Sequence, residues 1–220
     1  MGGVVLSSAG GDVAAFLGRL VRLDPVALVR LRRSGDRSAL WGNVPWNVLV
    51  SRTVAGSFGA DGDIVVRARD WLAAGDDAAV TGLQRRDAEW RLALPPDERG
   101  VIEEIPAAEL RSLGAAAADT LRAAETGGIR GRVVGARAVR DALLDHVAIV
   151  VSAGERGIEI PQRLVQAVVR MDFAPAPGAG GGDGPVRVVR AGPWIGLAAE
   201  YGTAWWRDPS GFGIAPIRGR

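Results

Sequence analysis

Arginine is the residue type whose number and spacing could do chemistry in this chain. Between positions 129 and 140 it recurs among small residues, as Ile129-Arg130-Gly131-Arg132-Val133-Val134-Gly135 followed by Arg137 and Arg140. A guanidinium is a planar, permanently charged fork of donors, suited to phosphate oxygens and to the guanine edge. All 27 basic residues are Arg, and Lys is absent. A Walker-type phosphate loop, which needs its Lys, is therefore excluded. Schiff-base catalysis by a Lys amine is excluded on the same ground. The chain has no Cys, which removes disulfides, thiolate-ligated zinc and iron–sulfur clusters. Arg without Lys, alongside much Ala and Gly, also fits a GC-rich coding sequence. Enrichment alone is thus weak support for a nucleic-acid partner.

Aromatic residues are the second chemical signal. Trp205-Trp206-Arg207 places two indoles on opposite faces of one strand, beside a cation. An exposed Trp next to Arg can stack a base of a single strand, or anchor a protein partner. The other tryptophans read as core. Classical catalytic types are scarce. His146 is the only His, and it reads as a buried structural residue near a helix end. Ala55-Gly56-Ser57-Phe58-Gly59 resembles a nucleophile elbow but is followed by a turn instead of a helix. Asp61, Asp63, Asp70, Asp76 and Asp77 are dense, yet no calcium-loop pattern follows, so they read as turns. We assign no catalytic residue, no metal site and no cofactor.

The elements that must position these groups follow from periodicity and punctuation. A stretch near the N-terminus, Phe16 to Asp24, and one near the C-terminus, Leu164 to Asp172, are both apolar at helical spacing. Both end in Val-Arg-(Leu/Met)-Asp, matching at three of nine positions, and both precede Trp-bearing strands. Strands are read at Leu28–Arg33, Ala39–Gly42, Trp46–Val54 and Ile64–Arg67, from alternation bounded by Gly, Pro and Asp. Glu89–Leu94 reads as one more strand before Pro95-Pro96. A helix runs from Pro106 to about Thr126, and a second from Ala136 to His146. Strand Val147–Ser152, a turn, and strand Ile158–Ile160 come next. Val186–Arg190 and Trp194–Trp206 supply the last strands.

Helix, turn, helix, strand, turn, strand is the order of a winged helix. On that reading Arg137 and Arg140 face a DNA groove, Arg130 and Arg132 hold phosphates, and Arg156 sits at a wing tip. The same residues also fit the solvated faces of ordinary amphipathic helices. Charge is uneven: residues 1–60 carry seven Arg against three acids, and residues 61–120 seven Arg against thirteen.

The expectation is an α+β fold with a mixed or antiparallel sheet backed by helices, built on a pseudo-duplicated helix–strand–strand unit. It is one globular domain over 1–220, with a flexible Gly/Pro-rich connection at about 174–185. The functional expectation is a non-enzymatic nucleic-acid-binding protein, DNA being the favoured partner. Its site residues are Arg130, Arg132, Arg137, Arg140, Arg156, Trp206 and Arg207. The alternative is a protein-interaction module or homo-oligomer that uses exposed Trp. No stretch is apolar enough for a membrane span, and no secretory or lipidation pattern is read, so the expected location is cytoplasmic.

Overall fold

The first helix, α1 (Ala9–Leu23), buries one stripe. Val13, Phe16, Leu17 and Leu20 recur at three- and four-residue steps and are each at most 1% exposed. Asp24 and Pro25 end it, and an antiparallel meander follows: β1 (Leu28–Ser34), β2 (Arg37–Val44) and β3 (Val48–Ala55). A short strand, β4 (Ile64–Arg67), returns to the free edge of β1. Helix α2 (Ala68–Ala74) follows directly and is closed by Gly75. The computed structural model describes residues 9–56, 58, 62–75, 77–127, 136–153, 156–176 and 184–207.

The second half repeats the arrangement. Strand β5 (Gly100–Ile105) leads into α3 (Ala107–Gly127) and α4 (Ala136–Asp145). A separate hairpin, β6 (Val147–Ala153) with β7 (Arg156–Pro161), precedes α5 (Gln162–Arg170). After α5 comes a second meander of β8 (Val186–Ala191), β9 (Trp194–Ala199) and β10 (Gly202–Arg207). The last strands of the two meanders pair antiparallel, with Ser51 opposite Thr203 and Leu49 opposite Trp205. One eight-stranded antiparallel sheet results, in the order β4-β1-β2-β3-β10-β9-β8-β5. The fold is thus α+β, and the helix-then-strands unit read twice in the sequence is present twice, once on each side of the β3–β10 seam.

Helices α1 and α5 cover one face of the sheet. Phe16 of α1 stacks on Phe173, just past α5, with ring centroids 6.4 Å apart. Arg19 donates to Asp172 at 2.5 Å beside them. Two glycines make this packing possible. A Cβ on Gly202 would lie 2.6 Å from the Phe173 ring, and one on Gly196 would lie 2.6 Å from the Trp205 ring. The opposite face carries a second apolar cluster that includes Trp41, Leu49, Val189, Trp194 and the fully buried Trp205.

Residues 89–94, expected as a strand, form none. The chain leaves the β4 edge at Asp87 and must reach β5 at the far edge. Seven inter-strand gaps of about 4.8 Å make that roughly 34 Å, and thirteen extended residues reach about 45 Å. The segment therefore runs nearly straight across the outer face as a strap. Trp90 and Leu94 pack onto the second cluster, and Leu92 is 40% exposed. Its apolar alternation reflects this one-sided burial, without a strand partner.

At its start the strap closes the β4 edge. The Val65 amide donates to Asp87 Oδ1 at 2.9 Å, and the Arg86 amide donates to Val65 O at 2.7 Å. His146, expected buried, is exposed, because α4 ends one residue before it and the chain turns into β6. Residues 177–183 of the expected flexible connection lie outside the described residues.

Two outcomes test this packing. Phe173→Ala should lower stability by about 3–5 kcal/mol, as for a fully buried aromatic, read from urea denaturation. The hydrogen bond from Arg85, and secondarily that from the Val65 amide, hold the Asp87 carboxyl below its usual range. Its contribution is present above the unfolded value near ~3.9 and is lost as pH falls through the lower folded value. Asp87→Ala should speed amide exchange at Val65 at neutral pH while leaving Leu40 protected; equal rates in wild type and variant would reject the edge cap.

Candidate nucleic-acid interface

The turn between β2 and β3 is Pro45-Trp46-Asn47, with Asn47 in the left-handed region at φ 58°. Asn is among the few side chains that tolerate this conformation. The turn brings the Trp46 carbonyl to the first turn of α5, where Arg163 Nη1 donates to it at 2.8 Å. Nη2 of the same guanidinium pairs with Asp145, the last residue of α4. One arginine therefore ties together the start of α5, the end of α4 and the β2–β3 turn. Burial lowers the Arg163 pKa from its ordinary value, and the nearby Asp141 opposes that shift. An arginine stays charged regardless. Its Nε is buried and has no hydrogen-bond partner among the described residues.

A cleft of about 530 Å³ opens beside this junction, at the end of the seam where β3 begins and β10 ends. Arg91 and Leu92 of the strap, Arg163, Trp206 and Arg207 line it, with Asn47 at its rim. Strand alternation explains the Trp pair. Trp205 turns to the outer cluster and is fully buried, whereas Trp206 packs partly against the helix-side core. Next to the cleft, across the Trp46–Asn47 turn, lies a smaller apolar pocket of about 60 Å³ between α3, α4 and α5. Arg140 and Arg170 stand at it, against Leu121, Leu143 and Leu144. Arg163 and Arg170 are seven residues apart on α5, hence on one face and about 10 Å from each other.

The structure brings Arg140, Trp206 and Arg207 of the expected residues to this one end of the sheet. Arg140 and Arg207 are both exposed. Arg137 lies on α4, and Arg156 opens β7. Arg130 and Arg132 lie outside the described residues. The two-helix, two-strand order is present, and α3 is used to cover α5. Gln162 and Gln166 of α5 donate to the Leu113 and Gly114 carbonyls of α3, at 3.3 and 3.0 Å.

Sequence reasoning missed Arg91, Arg163 and Arg170. The seven-residue spacing of Arg163 and Arg170 was a usable signal. Arg91 carried none, because its neighbours resemble a strand. Among the described residues no group of three His, Cys, Asp or Glu side chains is placed to hold a metal ion. No helix among them is long and apolar enough to cross a membrane.

The chain is similar in structure to the DNA polymerase III subunit beta from Pseudomonas aeruginosa, at 12% identity and a TM-score of 0.53. That match covers 90% of this chain and 62% of the other. A beta sliding clamp from C. crescentus gives 10% identity and a TM-score of 0.54, over 90% of this chain and 63% of that one. The sliding clamp from Bartonella birtlesii gives 14% identity and 0.53, again over 90% and 63%. At these identities the likeness is one of fold, and this chain spans less than two thirds of the length of each clamp. No curated protein matches the chain. The model of a family described as Domain of unknown function (DUF8010) matches residues 6–92, the half that ends in the strap. The other half, residues 94–211, matches the model of a second family, and since that match spans more than half of the 220 residues the chain belongs to the family described as Domain of unknown function (DUF8185).

Proposed function

We propose that the protein is a non-enzymatic nucleic-acid-binding module of sliding-clamp-like fold, with DNA as its ligand. The observation that carries this reading is the row of guanidiniums at one end of the seam. Arg170 and Arg140 stand at one pocket, and Arg163, Arg207 and Arg91 at the adjoining cleft. The linings of the two openings hold these five arginines and one acid, Asp145, which is paired with Arg163. Forked donors at intervals suit a backbone of phosphates. The partly buried Trp206 offers a stacking surface for an unpaired base at the end of that row. Arg137, three residues before Arg140 on α4, is assigned the same role. In this proposal Arg130, Arg132 and Arg156 add phosphate contacts from the segments on either side of α4. Likeness to structures described as DNA polymerase sliding clamps favours DNA over other polyanions.

A second reading is a protein-interaction module. Leu92 on the strap and Val26, 60% exposed, line a shared groove beside Trp90 on the opposite side of the strap from the Arg cleft. In this reading the Trp90 indole is the anchor of a protein contact, and the two apolar side chains exclude water around it.

Fluorescence anisotropy with labelled duplex and single-stranded DNA, across a salt series, separates the two. Phosphate-driven binding must weaken as salt rises. The double variant Arg140→Glu/Arg207→Glu should reduce the slope of log K against log salt by about 2, one for each lost phosphate contact. An unchanged slope, or no binding at low salt, would reject the nucleic-acid reading in favour of the protein-interaction one.

A further inference from the structure

The opposite end of the seam carries a different arrangement. Where β3 runs out and β10 begins, a cleft of about 400 Å³ lies against Ser51, Thr53 and Thr203. Five guanidiniums from three separate segments reach it: Arg32, Arg33 and Arg37 from the β1–β2 hairpin, Arg52 from β3, and Arg99 from the end of the strap. Two carboxylates, Asp97 and Glu200, also line it. Glu200 is engaged by the Tyr201 hydroxyl, and Arg52 is neutralised from outside the cleft by Asp12 at 2.7 Å.

Three of the five guanidiniums are held in place without any ligand. Arg52 lies over the Tyr201 ring, 5.1 Å from its centroid, and Arg99 lies over the Trp205 ring at 5.4 Å. Arg33 Nε donates to the Gly35 carbonyl at 3.2 Å. Holding guanidiniums in advance removes part of the ordering cost that a binding site otherwise meets on occupation. Trp41 also lines the cleft. Trp41 is only 6% exposed, and its indole N–H has no hydrogen-bond partner among the described residues. The neighbouring indole of Trp205, by contrast, donates to Ser51 Oγ at 3.3 Å. A buried N–H without an acceptor is rare. A cleft rich in guanidinium donors, with net positive charge, is complementary to a ligand with several anionic acceptor oxygens.

We propose that this cleft binds the phosphates of a small phosphorylated molecule of nucleotide size. The volume falls within the range of single-ligand sites. Arginine forks pair with phosphate in two-point contacts. This site shares no residue with the Arg140–Arg207 row, so it does not rest on the nucleic-acid reading.

Isothermal titration calorimetry on the full chain tests it, with inorganic pyrophosphate, ATP and a 5′-phosphorylated oligonucleotide as separate probes. Pyrophosphate and ATP should bind saturably. Arg37→Glu and Arg32→Glu should each weaken both by about tenfold or more, the loss expected for a charge-assisted hydrogen bond. Arg69→Glu makes the same charge change on α2, outside the cleft, and should bind as the wild type does. Circular dichroism checks each fold, and Arg32→Glu carries the test if Arg37→Glu does not fold. Absence of saturable binding, equal weakening by Arg37→Glu and Arg69→Glu, or binding of the oligonucleotide alone would each overturn the proposal.

Discussion

Two meanders, each preceded by its own helix, become one sheet only because β3 pairs with β10. That seam is short, with Ser51, Val50 and Leu49 opposite Thr203, Ala204 and Trp205. Its strength comes from what crosses it. Trp205 bridges to Ser51 on one face, while Phe16 and Phe173 meet on the other, over the joint between the halves. A seam without side-chain coverage would leave two four-stranded halves with bare edges, which invite unintended pairing. Here both faces are sealed by aromatics, and the glycines opposite them give the rings room.

The same seam determines where the two arginine-lined clefts lie. At each end of β3 and β10 the ladder stops, and side chains that would alternate in and out within the sheet converge around an opening. One end gathers Arg163, Trp206 and Arg207; the other gathers Arg37, Arg52 and Trp41. The strap contributes an arginine to each, Arg91 and Arg99, eight residues apart. It therefore does three things at once: it connects the halves, covers the outer cluster, and supplies a cation to both openings. Both basic clefts depend on the registration of the halves, so their geometry is inherited from the core.

Much of this was legible in the sequence, because local rules acted without competition. Pro106, Gly75 and the Ser34-Gly35 turn mark element ends chemically, and strand alternation reports the buried face directly. The strap shows where that logic stops. Trp90 and Leu94 record burial against a surface, but an even spacing is silent on whether backbone amides have a partner. Strand β5 escaped for the opposite reason. It is an edge strand whose Val101 is 57% exposed, and its register shifts between Val101 and Glu103. The basic row was half legible. Arg140, Trp206 and Arg207 stood out by type and neighbours, whereas their convergence with Arg91 and Arg163 requires contacts between residues far apart in the chain.

The central functional claim is that nucleic acid docks along the arginine row beside Trp206. Its most direct test is a ¹⁵N-resolved NMR titration of the seven tryptophan indole groups with a short single-stranded DNA at low salt. The account predicts a shift of the Trp206 indole resonance, with the Arg163 and Arg207 side-chain signals moving in step and the buried Trp71 indole unmoved. Perturbations confined to other tryptophans, or none at saturating DNA, would contradict it.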